Sequence, residues 1–169
     1  MTSNENADAG RALPRFFTEW RALFGDDAAD FTPIDYLNQQ EGLPFVIAAQ
    51  WLFCPTFTKY RDCVVIVKDL DGGLSDGEKK VIDDWLEVFD GDTSKTETKK
   101  NLLILSDIFT SFDTEPYEED LSRLARTLAR CWQGLLKLEY PERDLVVEVY
   151  DDEWSYGPEV TFYTRPSSS

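Results

Sequence analysis

The chain has 169 residues, 33 of them acidic and 17 basic, with no histidine, giving a formal charge of −16 at neutral pH. Histidine is the side chain best suited to proton transfer near neutrality and the commonest imidazole metal ligand, so its absence excludes Ser-His-Asp, Cys-His and His-metal sites together. The carboxylate excess repels nucleic-acid phosphates and anionic headgroups, which disfavours direct binding to DNA, RNA or membranes.

With 42% apolar residues, the chain can bury one core. It reads as a single α+β domain over 10–165, between flexible termini at 1–9 and 166–169. No basic segment leads into an apolar stretch at the N-terminus, so no signal peptide is expected. The longest apolar stretch, Leu43 to Pro55, is interrupted by Gln50 and is too short to span a bilayer. Cys54, Cys63 and Cys131 show no CxxC or metal-ligand spacing, and each lies among apolar neighbours. They read as buried thiols of a protein in a reducing cytoplasm.

The first helix is expected over Arg11 to Phe24, where Leu13, Phe16, Phe17, Trp20, Leu23 and Phe24 recur at three- and four-residue spacing. Pro14 fits its first turn and Gly25 its end. A short helix follows from Thr32, with Pro33 at its first position and Asp35 at the positive end of its dipole. Leu43 to Phe53 is apolar nearly all round, the pattern of a helix buried on every side, and Pro55 stops it.

Cys63 to Val67 is short and β-branched, as in a buried strand, and the Asp-Gly-Gly at 71–73 turns the chain after it. Ser75 and Glu78 form a capping-box pattern ahead of the stripe Val81, Ile82, Trp85, Leu86 and Phe89. The run at 102–105 fits either a strand or a buried helix. From Glu118 to Leu138 a long helix is expected, with Leu121, Leu124, Leu128, Cys131, Leu135 and Leu138 on one face. Two strands of period two, Leu145 to Tyr150 and Glu159 to Thr164, close the chain as a hairpin. Helices first and a hairpin last predict helices packed on a small, mainly antiparallel sheet.

The chemistry-bearing patterns are sparse. Asp69, Asp71 and Asp76 resemble a calcium loop, but the fifth position is Gly73 and the twelfth Lys80, where an EF-hand needs ligands; a turn is the better reading. The segment from Asp90 fails at its sixth position, Lys95. GxSxG, GxGxxG and GxxxxGK[ST] are all missing, so no catalytic residue, metal or cofactor is expected. Arg123, Arg126, Arg130 and Lys137 form a basic stripe on the long helix, which local pairs such as Glu119 with Arg123 explain.

Two acidic groups remain. Asp113, Glu115, Glu118 and Glu119 stand near a helix start, where carboxylates also stabilise the dipole. The hairpin connection joins Asp151, Asp152 and Glu153 to Trp154 and Tyr156. Aromatics supply contact area while carboxylates steer a cationic partner, so this loop is the leading binding candidate.

The run from Leu52 to Val67, with its apolar-apolar-x-Pro-x-Phe element, resembles the core segment of a poorly characterised family of small acidic bacterial proteins. Trp132, the stretch from Tyr140 to Val149, and Glu159 to Tyr163 are similar to that family's closing helix and hairpin. Where the family has Gly before the strand's Cys or His, this chain has Asp62. The family resembles the immunity proteins of polymorphic toxins. The resemblance implies a non-enzymatic inhibitor that neutralises a basic toxin domain. A nucleic-acid mimic that occupies a DNA-binding protein, a carboxylate-dependent hydrolase and a structural subunit stay open as alternatives, as does the oligomeric state.

Overall fold

An aromatic helix begins the computed structural model, which describes residues 13–28, 30–68, 73–152 and 155–166. The fold class is α+β, as the order of elements predicts. The chain divides into two units, Met1–Ile47 and Ala48–Ser169, where the sequence reads as one domain over 10–165. The segments expected to be flexible, 1–9 and most of 166–169, lie outside the described residues.

The first unit is organised by aromatic rings. Helix α1 (Arg15–Ala22) starts one residue after Pro14, whose carbonyl accepts from the Phe17 and Thr18 N–H groups. Phe17 is buried, and the Trp20 ring lies 5.1–5.5 Å from those of Phe17, Phe24, Phe31 and Tyr36. Leu13 and Leu23 of the expected stripe are exposed, because this ring cluster takes the inner side. Helix α2 (Pro33–Leu37) starts where the sequence places it: the Asp35 carboxylate accepts from the Thr32 N–H and hydroxyl, both at 2.7 Å.

Helix α3 (Gly42–Phe53) crosses the division between the units. Its sequence predicts burial on every side, and here the structure differs. Leu43 is 68% exposed and Phe45 64%, with Val46 and Ile47 also open. Only the last turn, through Trp51, Leu52 and Phe53, packs against a core cluster. Composition registers how apolar a helix is, but only tertiary placement determines which turns are covered. Cys54, just beyond this helix, is exposed, contrary to the expectation of three buried thiols; Cys63 is buried and Cys131 half-buried.

The second unit opens with a hairpin of β1 (Phe57–Tyr60) and β2 (Cys63–Ile66), antiparallel with Tyr60 opposite Cys63. Its two-residue turn places Arg61 at φ 51° and Asp62 at φ 66°. Two left-handed residues make the primed turn that matches the twist of paired strands. A glycine adopts that geometry most easily, and Asp is among the few side chains that tolerate it. Helix α4 (Asp76–Val88) carries the predicted capping box, with Glu78 N–H donating to Ser75 Oγ at 3.2 Å and Ser75 N–H to Glu78 at 3.0 Å. Helix α5 (Thr93–Lys100) is capped by Asp92, which accepts from Lys95 N–H at 3.0 Å.

The ambiguous run at 102–105 is both things in turn, a short strand β3 (Leu103–Ile104) running straight into a helix α6 (Leu105–Ile108). Helix α7 (Glu118–Glu139) leads to β4 (Leu145–Tyr150) and β5 (Glu159–Thr164), the two strands expected from period two. Strands β3, β5 and β4 form an antiparallel sheet in that order. Its inner face, with Leu145, Val160 and Phe162, packs on α7 through Ala125, Leu128, Trp132 and Leu136. The α7 stripe thus keeps the predicted Leu121 and Leu128 but is completed by Ala125, Trp132 and Leu136. Leu124, Cys131 and Leu135 flank it and Leu138 is exposed, because the small Ala125 lets the sheet approach and Trp132 fills the space beyond.

The two sheets are joined by α5, a helix with hardly an apolar residue. Glu97 and Asn101, four apart and so on one face, are both buried. Asn101 offers the free edge of β2 a substitute peptide group: its Oδ1 accepts from Ile66 N–H at 3.0 Å, and its Nδ2 donates to Val64 O at 2.9 Å and Phe162 O at 3.3 Å. Glu97 accepts from the N–H groups of Val64, at 2.7 Å, and Thr164, and Thr164 adds its hydroxyl at 3.1 Å. One side-chain pair thus completes the hydrogen bonding of β2 and β5 across a gap too wide for direct pairing. Gln133 of α7 does the same for the outer edge of β4, donating to Leu145 O at 2.9 Å and accepting from Val147 N–H at 3.1 Å.

Asn101→Ala leaves three buried backbone groups without partners and should cost about 2–4 kcal/mol, against about 1 kcal/mol for Gln133→Ala at a half-buried edge that water can reach. Urea unfolding of the two variants tests that order.

Burial pushes the Glu97 carboxyl above the ordinary value of 4.5, against the Val64 and Thr164 donors and Arg143, which stands 3.9 Å away. A carboxyl raised by folding holds its proton longer in the native state, so it withdraws stability as pH climbs from the unfolded value towards the folded one. The stability advantage of wild type over Glu97→Gln should therefore shrink as pH rises above the ordinary value of 4.5, the reverse of an ordinary paired carboxylate. Urea midpoints across that range decide it; an advantage that grows with pH would sink the idea.

Candidate functional site

Asp151, Asp152 and Tyr156 of the predicted loop lie at one end of the three-stranded sheet, where β4 leaves and β5 returns. The connection between them is fastened to two helices. Asp151 accepts from Ser122 Oγ of α7 at 3.0 Å and from the Arg126 guanidinium at 3.2 Å. Ser106 of α6 donates its hydroxyl to Tyr156 O at 3.2 Å, and Leu105 N–H reaches Pro158 O at 3.0 Å. Between these anchors Asp152 folds a turn, accepting from the Ser155 N–H and hydroxyl.

The anchors give the loop residues different roles. Asp151 is turned towards α7, and Arg126 neutralises its charge. Tyr156 points the other way: its backbone is held while its side chain is 87% exposed. Glu153 and Trp154 lie outside the described residues.

The second acidic group converges on the same end. Ser122, which holds Asp151, is one helical turn beyond Glu118, so the first turn of α7 borders the loop. Glu118 is exposed, and Glu119 is hydrogen-bonded to Arg123, the local pair that the sequence suggests. Asp113 is exposed and shapes its own loop, accepting from Glu115 N–H at 3.2 Å. Phe112, exposed, rests on Tyr117 with ring centroids 5.3 Å apart, and adds an apolar element that the sequence reading did not single out.

A further element was missed. The Glu148 carboxylate accepts from the Tyr163 hydroxyl at 2.7 Å and the Tyr150 hydroxyl at 2.6 Å, so two phenols lock its orientation beside the loop. The hydrogen bond to Glu148, with burial second, pushes the Tyr150 phenol up to about 12. The signal was available: alternation places Glu148 and Tyr150 on one face of β4, and the register opposite Thr161 makes Tyr163 a diagonal neighbour.

Among the described residues no group of three or more Cys, Asp or Glu is placed to hold a metal ion, and no helix is long and apolar enough to cross a membrane. Comparison with family models, curated proteins and solved structures finds no match to this chain.

Because the Asp151 pair with Arg126 is substantially open to water, Asp151→Asn should change global stability by less than about 1 kcal/mol. Its effect should be local. Amide exchange at Ser155 and Tyr156 should speed up while the core strands keep their protection, and unchanged loop protection would show that Asp151 is not the anchor.

Proposed function

We propose that this chain is a non-enzymatic binding protein of the immunity type, which neutralises a basic toxin domain in the cytoplasm by covering its active surface. The observation that carries the reading is Tyr156, a large aromatic side chain held out from a doubly anchored loop, with carboxylates on both sides. An anchored loop loses little conformational freedom on binding, which favours affinity. An exposed aromatic residue is the kind of side chain that dominates interface energetics. Glu118, Glu119 and Asp152 then supply the negative field that steers a cationic partner, and the formal charge of −16 extends that field beyond the contact. The three free cysteines suit a reducing compartment.

The reading separates the roles of the residues by rate. Tyr156→Ala should weaken the complex by roughly tenfold or more, mostly through faster dissociation. Replacing Glu118 and Glu119 together with Gln should slow association and flatten its salt dependence while leaving dissociation nearly unchanged. The test starts from basic proteins of the host that bind the wild-type chain at low salt and lose binding with both variants. Such a partner must also lose its toxic activity on addition of the wild-type chain. Binding unaffected by either variant, or a bound partner that stays fully active, would overturn the proposal.

A further inference from the structure

Outside that surface, the described residues of the second unit line a cavity of about 40 Å³. Two tryptophans, Trp51 and Trp132, form its walls with Ile66 and Leu103, and Lys68 and Lys100 complete the lining. Its chemistry runs against the rest of the molecule. In a chain with about twice as many acids as bases, no acidic side chain lines it among the described residues.

Hydrogen bonds hold part of the lining. The indole N–H of Trp132 donates to Leu52 O at 2.8 Å, which locks the ring and the last turn of α3 together. Ile66 and the neighbouring Asn101 are held by the seam between α5 and β2. The two lysines differ. Lys100 is nearly buried and its ammonium stands 3.3 Å from Glu78, so its charge is answered within the fold. Lys68, just past β2, is an exposed member of the lining. The result is a mainly apolar slot with one exposed lysine in its lining.

From this geometry we infer that the slot is a binding site for a short aliphatic carboxylate, with the hydrocarbon stem between Trp51 and Trp132 and the carboxylate on Lys68. Charge complementarity selects the anion: among the described residues the lining ion without a partner of opposite charge is Lys68. Size selects the stem. About 40 Å³ holds about three water-sized groups, which suits a chain of three or four carbons and excludes a nucleotide or an aromatic acid. This inference is independent of the toxin-binding reading, since none of its residues belongs to the loop surface.

Butyrate is the probe, with butan-1-ol and butylammonium as its neutral and cationic counterparts. In a ¹H–¹⁵N spectrum of the whole chain, butyrate should shift the indole N–H signals of Trp51 and Trp132 and leave that of Trp85 in place, with a dissociation constant on the order of millimolar for so few atoms. Lys68→Gln should weaken butyrate binding roughly tenfold, Lys68→Arg should preserve it, and Lys59→Gln, an exposed lysine on β1, should leave it unchanged. Because Lys68 is exposed, its variants should keep the other indole signals, which verifies folding in the same spectrum. No shift at Trp51 and Trp132, equal shifts from butan-1-ol, or full binding by Lys68→Gln would each overturn the inference.

Discussion

A buried polar pair on α5 is what the second unit depends on. The strands β2 and β5 do not pair with each other, and each has backbone groups facing the gap between them. Leaving such groups dry and unpaired would cost more than most single contacts return. Glu97 and Asn101 close the gap by offering a carboxylate and an amide in the positions where a neighbouring strand would have its peptide groups. The hairpin that carries Cys63 to Ile66 is thereby tied to the sheet that carries the candidate binding loop. Among the described residues, no buried side-chain nitrogen or oxygen lacks a partner.

This solution explains an otherwise odd helix. α5 reads Thr-Ser-Lys-Thr-Glu-Thr-Lys-Lys, the composition of a solvated surface segment, yet it lies against two sheets. Hydrophobic burial is not what holds it. Directed hydrogen bonds do, and they also specify register: shifting β2 by one residue would turn the Val64 and Ile66 amides away from the seam. Gln133 repeats the device on the opposite flank, where it closes the edge of β4 against further strand pairing. Three side chains thus do work that a longer sheet would do with backbone alone.

The same economy shapes the loop end. The β4–β5 connection is kept in place by Ser106 on one side and by Ser122 with Arg126 on the other, contacts from residues that composition would assign to solvent. Tyr156, its carbonyl held by Ser106, is exposed on this connection. The locked Glu148 carboxylate lies beside it, on the outer side of the strand pair, so the charge near the loop is directional and not diffuse.

Local patterns were sufficient for much of this. Period two marked β4 and β5, the Ser75 and Glu78 box marked the start of α4, and the three- and four-residue spacing marked α7, because these signals depend only on neighbours along the chain. The acidic groups at 113–119 and 151–153 were visible for the same reason. What the sequence could not show was which acids face outward, since Asp151 is committed to Arg126 by a contact 25 residues long. Nor could it show that the apolar α3 is open over Leu43 to Ile47, that Cys54 is exposed, or that Glu97 is fully buried. Those outcomes depend on which surfaces meet. In this chain the seam along α5 is polar, and hydrophobic periodicity carries no record of a hydrogen bond between distant segments.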